Sequence, residues 1–260
     1  SDVYKRQLSY RVLSGRNGFL ILTGKIAVND NRILRISDAL REYNRLQQEQ
    51  AAESGSTAPV IQYRDGLPVN SIWAVPSLGI DPASGKEIFV NTAGNIVNVW
   101  SASNLAYCGS SDNLYNGNFS ISGEWKGLGI NAVCTYYGGG YKYNTTLVNK
   151  VENVYIGDNV DRRIYSSRWY YKGQVAQYRN GYNYPTQATS RFVQRDNVLT
   201  ISSVSLYYEF PQKLISKAKL SRLRLTLLAN DLYTFSSIEI ERGTSYPYAR
   251  TFSFSVSATF

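Results

Sequence analysis

RTFSFSVSATF, residues 250–260, alternates with a period of two: Phe252, Phe254, Val256, Ala258 and Phe260 are apolar, whereas Thr251, Ser253, Ser255, Ser257 and Thr259 are small and polar. That period is the mark of a β-strand with one apolar and one polar face. Eleven residues at the rise of a strand also suffice to cross a bilayer at a tilt. The stretch therefore fits either a half-buried strand of a soluble sheet or a membrane strand with lipid on one side and a wet lumen on the other.

The same alternation recurs along the chain. GFLILTGKIAVND (18–30) sets Leu20, Leu22, Ile26 and Val28 on one face; GNFSISGEW (117–125) sets Phe119, Ile121 and Trp125 opposite Ser120, Ser122 and Glu124. GLGINAVCTYY (127–137), SSVSLYYEF (202–210) and SRLRLTLLAND (221–231) repeat the pattern, as does NSIWAVPSLGID (70–81) with Ile72, Ala74, Leu78 and Ile80. With KEIFVN, a strand near residues 8 to 14 and the terminal strand, the expectation is about eight strands in an all-β, antiparallel fold. SDVYKRQ (1–7) fits none of these patterns and is set aside as a non-native segment. The absence of an initiating methionine gives the expectation that the chain is a piece of something longer.

Connections alternate in length. SGRNG (14–18), DPASG (81–85), KG (126–127) and PQKLISK (211–217) are short and carry turn residues, while residues 31–69, 92–116, 141–196 and 232–247 make long connections. A soluble sandwich has no reason to keep that order; a barrel with short turns at one membrane face and long loops at the other does. One helical pattern, SDALREYNRLQQEQAAE (37–53), has Ser37 as N-cap and Leu40, Tyr43 and Leu46 at helical spacing, and AAESGSTAP after it reads as flexible.

Composition narrows the function classes. The 28 basic and 19 acidic residues give a formal charge of +9, but the cations are scattered and no nucleic-acid-binding motif is present, so no nucleic-acid partner is expected. With no histidine there is no Ser-His-Asp or Cys-His arrangement and no zinc set of ordinary type, so neither an enzyme nor a cofactor is expected. Glu239 and Glu241 are read as solvated charges rather than a catalytic pair. Cys108 and Cys134 are read as small hydrophobes rather than a disulfide framework.

Three features favour the membrane reading over a soluble core. Charges stand in mid-strand on the polar faces, at Glu124, Glu209, Arg222 and Arg224, which become candidates for facing a lumen. Aromatics cluster towards strand ends, as at Trp125, Tyr136, Phe210, Tyr233 and Phe260, where interfacial girdles stand. The chain also stops on a strand, as a closed barrel requires, because an open edge in lipid leaves backbone groups unpaired.

Together, NDNRILRISDALREYN, SIWAVPSLGIDPASGKEIFV, SGEWKGLGINAVCTYYGGGYKYNTTLVNKVEN, TSRFVQRDNVLTISSVSLYYEF and LRLTLLANDLYTFSSIEIERGTSYPYARTFSFSVSATF resemble the C-terminal part of SusC/RagA-type TonB-dependent transporters of the Bacteroidota outer membrane. The segment TAGNIVNVW departs from the family in lacking an Asp-Gly-Thr run. The resemblance implies that residues 8–260 form the last third of a plugged barrel of about 22 strands. It further implies import of oligosaccharides or peptides, a SusD-like lipoprotein partner, and energy from TonB, ExbB and ExbD through an N-terminal region. Phe252, Phe254 and above all Phe260 would then be the signal read by the barrel assembly machinery. The alternatives are a soluble all-β binding or adhesion module, which would partition away from membranes, and a passive porin, which would lack a plug.

The richest candidate for ligand contact is the loop 141–195. It holds nine tyrosines, Trp169, and nine Lys or Arg against Glu152, Asp158 and Asp161. Trp169, Tyr170, Tyr171, Tyr182 and Tyr184 are the candidate contacts, since flat amphipathic rings suit sugars and peptide surfaces. Packing of the loop against itself or against a lid protein is the competing reading of the same rings.

Overall fold

The computed structural model describes residues 2–54, 57–154, 157, 160–181, 185–239 and 250–260. Its strands in chain order are β1 (Asp2–Gly15), β2 (Gly18–Asp30), β3 (Ser71–Ala74), β4 (Ser77–Ile80), β5 (Glu87–Val90), β6 (Ile96–Val97), β7 (Ala106–Ser110), β8 (Tyr115–Trp125), β9 (Leu128–Tyr143), β10 (Val193–Glu209), β11 (Arg222–Ser236) and β12 (Thr251–Thr259). Seven of them, in the order β1-β2-β8-β9-β10-β11-β12, form one antiparallel sheet in which each strand pairs with the next.

The alternation read in the sequence becomes continuous rows across this sheet. Leu13, Leu20, Gly123, Ile130, Leu206, Leu227 and Phe254 stand in one register line, and Tyr10, Leu22, Ile121, Ala132, Val204, Ala229 and Phe252 in the next on the same face. On the opposite face the neighbouring row is Ser9, Thr23, Ser120, Val133, Ser203, Asn230 and Thr251, polar but for Val133, and Phe19, Ile21 and Leu228 stand elsewhere on that face.

The core does not lie behind the apolar face. Among the hydrophobic side chains described in the seven strands, only Tyr143 and Val198 are buried, and Phe252 and Phe254 are each 66% exposed. The buried residues gather instead in the connections. One cluster joins Ala74, Leu147, Val148, Val151, Tyr178, Ala188 and Phe192; a second joins Ala51, Val60, Val75, Phe89, Ala102 and Leu105. These connections, 31–114 and 144–192, leave the same end of the sheet and fold into a cap, while the links at 16–17, 126–127 and 210–221 stay at the other end.

The strand expectation needs two corrections. NSIWAVPSLGID and KEIFVN are strands, but they belong to the cap: β3 pairs with β7, and β4, β5 and β6 form a small sheet of their own. DPASG is accordingly a cap turn, and the expected long connections 31–69 and 92–116 are parts of one excursion between β2 and β8. Four-residue strands span roughly 13 Å at 3.3 Å per residue, too short to line a membrane barrel. The second correction concerns the first strand, which extends from the expected 8–14 to Asp2–Gly15; residues 2–7 pair in register with β2, so the segment set aside is part of the sheet.

The helix α1 (Asp38–Ser54) starts where expected, with the Ser37 hydroxyl accepting from Leu40 N at 3.3 Å. Its packing face differs from the expected Leu40–Tyr43–Leu46 line, because Leu46 is 49% exposed. Asn44 exchanges hydrogen bonds with the Tyr63 backbone, Gln48 donates to the Ala102 carbonyl, and Ala51 is buried. Ala51 to Ser54 belong to the helix rather than to a flexible link, and residues 55–56 lie outside the described chain.

Candidate functional site

The four charges read as mid-strand stand instead at strand ends, Glu124 next to last in β8, Glu209 last in β10, and Arg222 and Arg224 first and third in β11, and they meet at the short-turn end of the polar face. Glu124 on β8 and Tyr207 on β10 both stand opposite Gly129 of the intervening β9. A Cβ at Gly129 would fall 2.0 Å from Tyr207 Cζ. The missing side chain therefore lets the phenol ring lie flat across β9 and donate a 2.7 Å hydrogen bond to Glu124 Oε2. Arg224 stacks on the same ring, its guanidinium carbon 4.3 Å from the centroid, and donates from Nη2 to Glu209 Oε2 at 2.6 Å. Arg222 grips Glu209 in a fork, 3.1 Å to Oε1 and 2.8 Å to Oε2.

The result is a chain of contacts, Glu124–Tyr207–Arg224–Glu209–Arg222, in which two carboxylates balance two guanidiniums. Each of the four charges has a hydrogen-bond partner within the patch. Tyr207 and Gly129 were not singled out from the sequence. An aromatic beside a glycine on neighbouring strands is the available signal, but only the register shows that they face each other.

The cap places the loop candidates differently from one another. Trp169 is taken up by packing: its ring lies against Gly85, where a Cβ would come within 2.4 Å, and its Nε1 donates to the Pro82 carbonyl at 2.9 Å. Tyr170 and Tyr171 are exposed, at 54% and 67%. Tyr182 and Tyr184, with Tyr155, Asp158 and Glu241, lie outside the described residues. Phe252 and Phe254 stand opposite Ala229 and Leu227 on the apolar face, and Phe260 follows the last strand, 90% exposed.

What ties the two halves of the cap together is a buried ion cluster that the sequence reading missed. Arg191 reaches Glu87 in the β4–β5 hairpin, at 2.9 Å, and Glu152 in the 144–192 connection, at 2.7 Å. Glu152 is fully buried and also accepts from Thr186 Oγ1 at 3.4 Å. Burial disfavours the Arg191 charge, but the two carboxylates outweigh it and hold the guanidinium above its ordinary pKa. Arg179 lies 3.5 Å from Glu152 through Nε; there burial dominates and lowers its pKa, with Glu152 opposing. Backbone bonds reinforce the same junction, from Val75 N to the Ala188 carbonyl and from Asn180 N to the Gly85 carbonyl.

The sequence matches no family model and no curated protein sequence. The fold matches solved structures clearly. The RagAB peptide transporter superposes with a TM-score of 0.72 at 18% identity over 90% of this chain and 25% of that one. The RagAB peptide importer in its open-open state gives 0.77 at 16% identity, over 98% of this chain and 28% of that one. The closed-closed state gives 0.66 at 17%, over 89% and 25%. This chain thus spans about a quarter of the length of the transporter chains it matches. The seven-stranded antiparallel sheet, capped by long connections at one end, has the fold of about a quarter of the chain seen in the RagAB transporter structures.

Proposed function

We propose that the chain is a wall sector and loop cap of a TonB-dependent outer-membrane nutrient importer. The observation that carries this reading is the apolar face itself. Burying one Leu, Ile, Val or Phe side chain is worth about 1.5–3 kcal/mol. A soluble fold would not leave Leu13, Leu22, Phe119, Ile130, Leu206, Leu227 and Phe254, one on each of the seven strands, between 38% and 66% exposed on one face. Hydrocarbon covers such a face, and the opposite face of Ser, Thr, Asn and paired charges suits a wet lumen. Aromatic pairs flank the band, Tyr208–Phe210 towards the short turns and Tyr233–Phe235 towards the loops.

The cargo is a peptide or an oligosaccharide, handled together with a SusD-like lipoprotein on the loop side. The RagAB structures, which are of peptide transporters, favour the peptide. TonB, ExbB and ExbD act through a plug region, the barrel assembly machinery inserts the barrel, and the residues described have no catalytic role.

The test uses the full-length protein in its own outer membrane. It should appear there as a heat-modifiable band and support uptake of labelled oligopeptides that stops when TonB is deleted. Recovery in the soluble periplasmic or secreted fraction would refute the membrane reading, and uptake indifferent to TonB would leave a passive porin.

A further inference from the structure

The cap contains a cavity of about 560 Å³ that the buried ion cluster borders but does not fill. Lys86, Arg179, Trp100, Asn98, Asn180 and Gln187 line it, drawn from the β4–β5 hairpin, the segment after β6 and the 144–192 connection. Glu87 also lines it, and its carboxylate is held by the Arg191 fork at 3.2 and 2.9 Å. The cluster is therefore unequal. Arg179 and Arg191 pair with the two carboxylates, Glu87 and Glu152, and Lys86 adds a third cation to the cavity wall. Arg179 Nη2 donates to Asn153 Oδ1 at 3.2 Å, and its buried Nε stands 3.5 Å from the Glu152 carboxylate as an ion pair without a completed hydrogen bond. Trp100 is fixed as a wall by its Nε1 bond to the Ala188 carbonyl at 3.1 Å.

We propose that this cavity binds the carboxylate of a carboxylate-bearing oligomer, with Lys86 and Arg179 pairing with the acid, Trp100 against its flat or apolar part, and the three amides at its polar groups. The inference rests on the import reading, which puts the cap on the cargo's path. It deepens that reading by assigning the charge of the cargo. An acidic peptide and a uronic-acid oligosaccharide carry the same group, and the test separates them.

Binding is measured on the purified full-length transporter with four probes: an N-acetylated, C-terminally amidated tetrapeptide containing glutamate, its glutamine analogue blocked in the same way, a tetra-uronate and a neutral tetrasaccharide. The wild type should bind one acidic probe roughly tenfold more tightly than its neutral counterpart, the scale of a charge-assisted hydrogen bond. The gap should shrink as salt rises. Preference for the glutamate peptide identifies a peptide carboxylate; preference for the uronate identifies an acidic glycan. Lys86→Gln, at an exposed position, should remove most of the gap between the acidic and neutral probes. Arg179→Gln should remove it too, but it also breaks the Asn153 contact, so Lys86→Gln is the deciding variant. Equal binding of acidic and neutral probes, or a gap untouched by Lys86→Gln, overturns the assignment. A protein that sits in the outer membrane and imports cargo yet shows no such gap would lose this inference alone.

Discussion

The Tyr207 hydroxyl reaches Glu124 across an intervening strand, at 2.7 Å, because residue 129 between them has no side chain. Gly129→Val should therefore expel the ring from β9. The expected cost is about 2 kcal/mol, that of a lost hydrogen bond to a charged group. Tyr207→Phe should lose a similar amount, and the double variant little more than either alone, because both changes break the same contact. Denaturant unfolding of the full-length protein in detergent reads this directly. Additive losses would show that Gly129 matters for some other reason.

Arg191 holds Glu87 and Glu152 together over a sequence separation of 104 and 39 residues. Arg191→Met leaves two buried carboxylates without their shared cation, which costs roughly 3–5 kcal/mol. The damage should be confined to the cap. Hydrogen exchange should quicken in residues 71–90 and 144–181 while the strands β8 to β11 stay protected. Equal loosening of the sheet would mean that the cap and the sheet do not melt separately.

How much of this was legible follows from the physics of each part. The faces of β2, β8, β9, β10 and β11 could be read residue by residue, because a long strand with one apolar face writes its period into the sequence. The Ser37 cap was legible for the same local reason. β3, β4 and β5 misled because alternation such as Ile72, Ala74 and Phe89 looks the same in a cap strand as in a wall strand. Length was the clue, as was Pro76 between β3 and β4, since proline cannot donate to a central ladder. For residues 2–7 the strand partner, not the pattern, decides the structure; Asp2, Lys5, Arg6 and Gln7 show no period but pair with β2 all the same. The Arg191 cluster was illegible, because it depends on how two long connections fold against each other. Glu124 was placed on the correct face, but its contact with Tyr207 depends on a register that sequence alone does not fix.

The two faces should answer oppositely to the same substitution. Val204 lies on the apolar face midway along β10, and Ser205 beside it faces the other way. Val204→Arg should cost about 2–4 kcal/mol, the depth-dependent penalty of a cation on the lipid face of a barrel, and lower the amount of assembled protein in the outer membrane. Ser205→Arg should leave assembly near the wild-type level. Equal effects at the two positions would argue against lipid on either side.

The most direct measurement is a single-cysteine scan of β11 in the assembled full-length protein, from residue 223 to 229, with Cys108 and Cys134 first replaced by serine. Probes at 223, 225, 227 and 229 should be quenched by brominated lipid and resist a water-soluble thiol reagent, and those at 224, 226 and 228 should react with the reagent and escape the lipid quencher. Uniform labelling from water at all seven positions would contradict a membrane-facing wall.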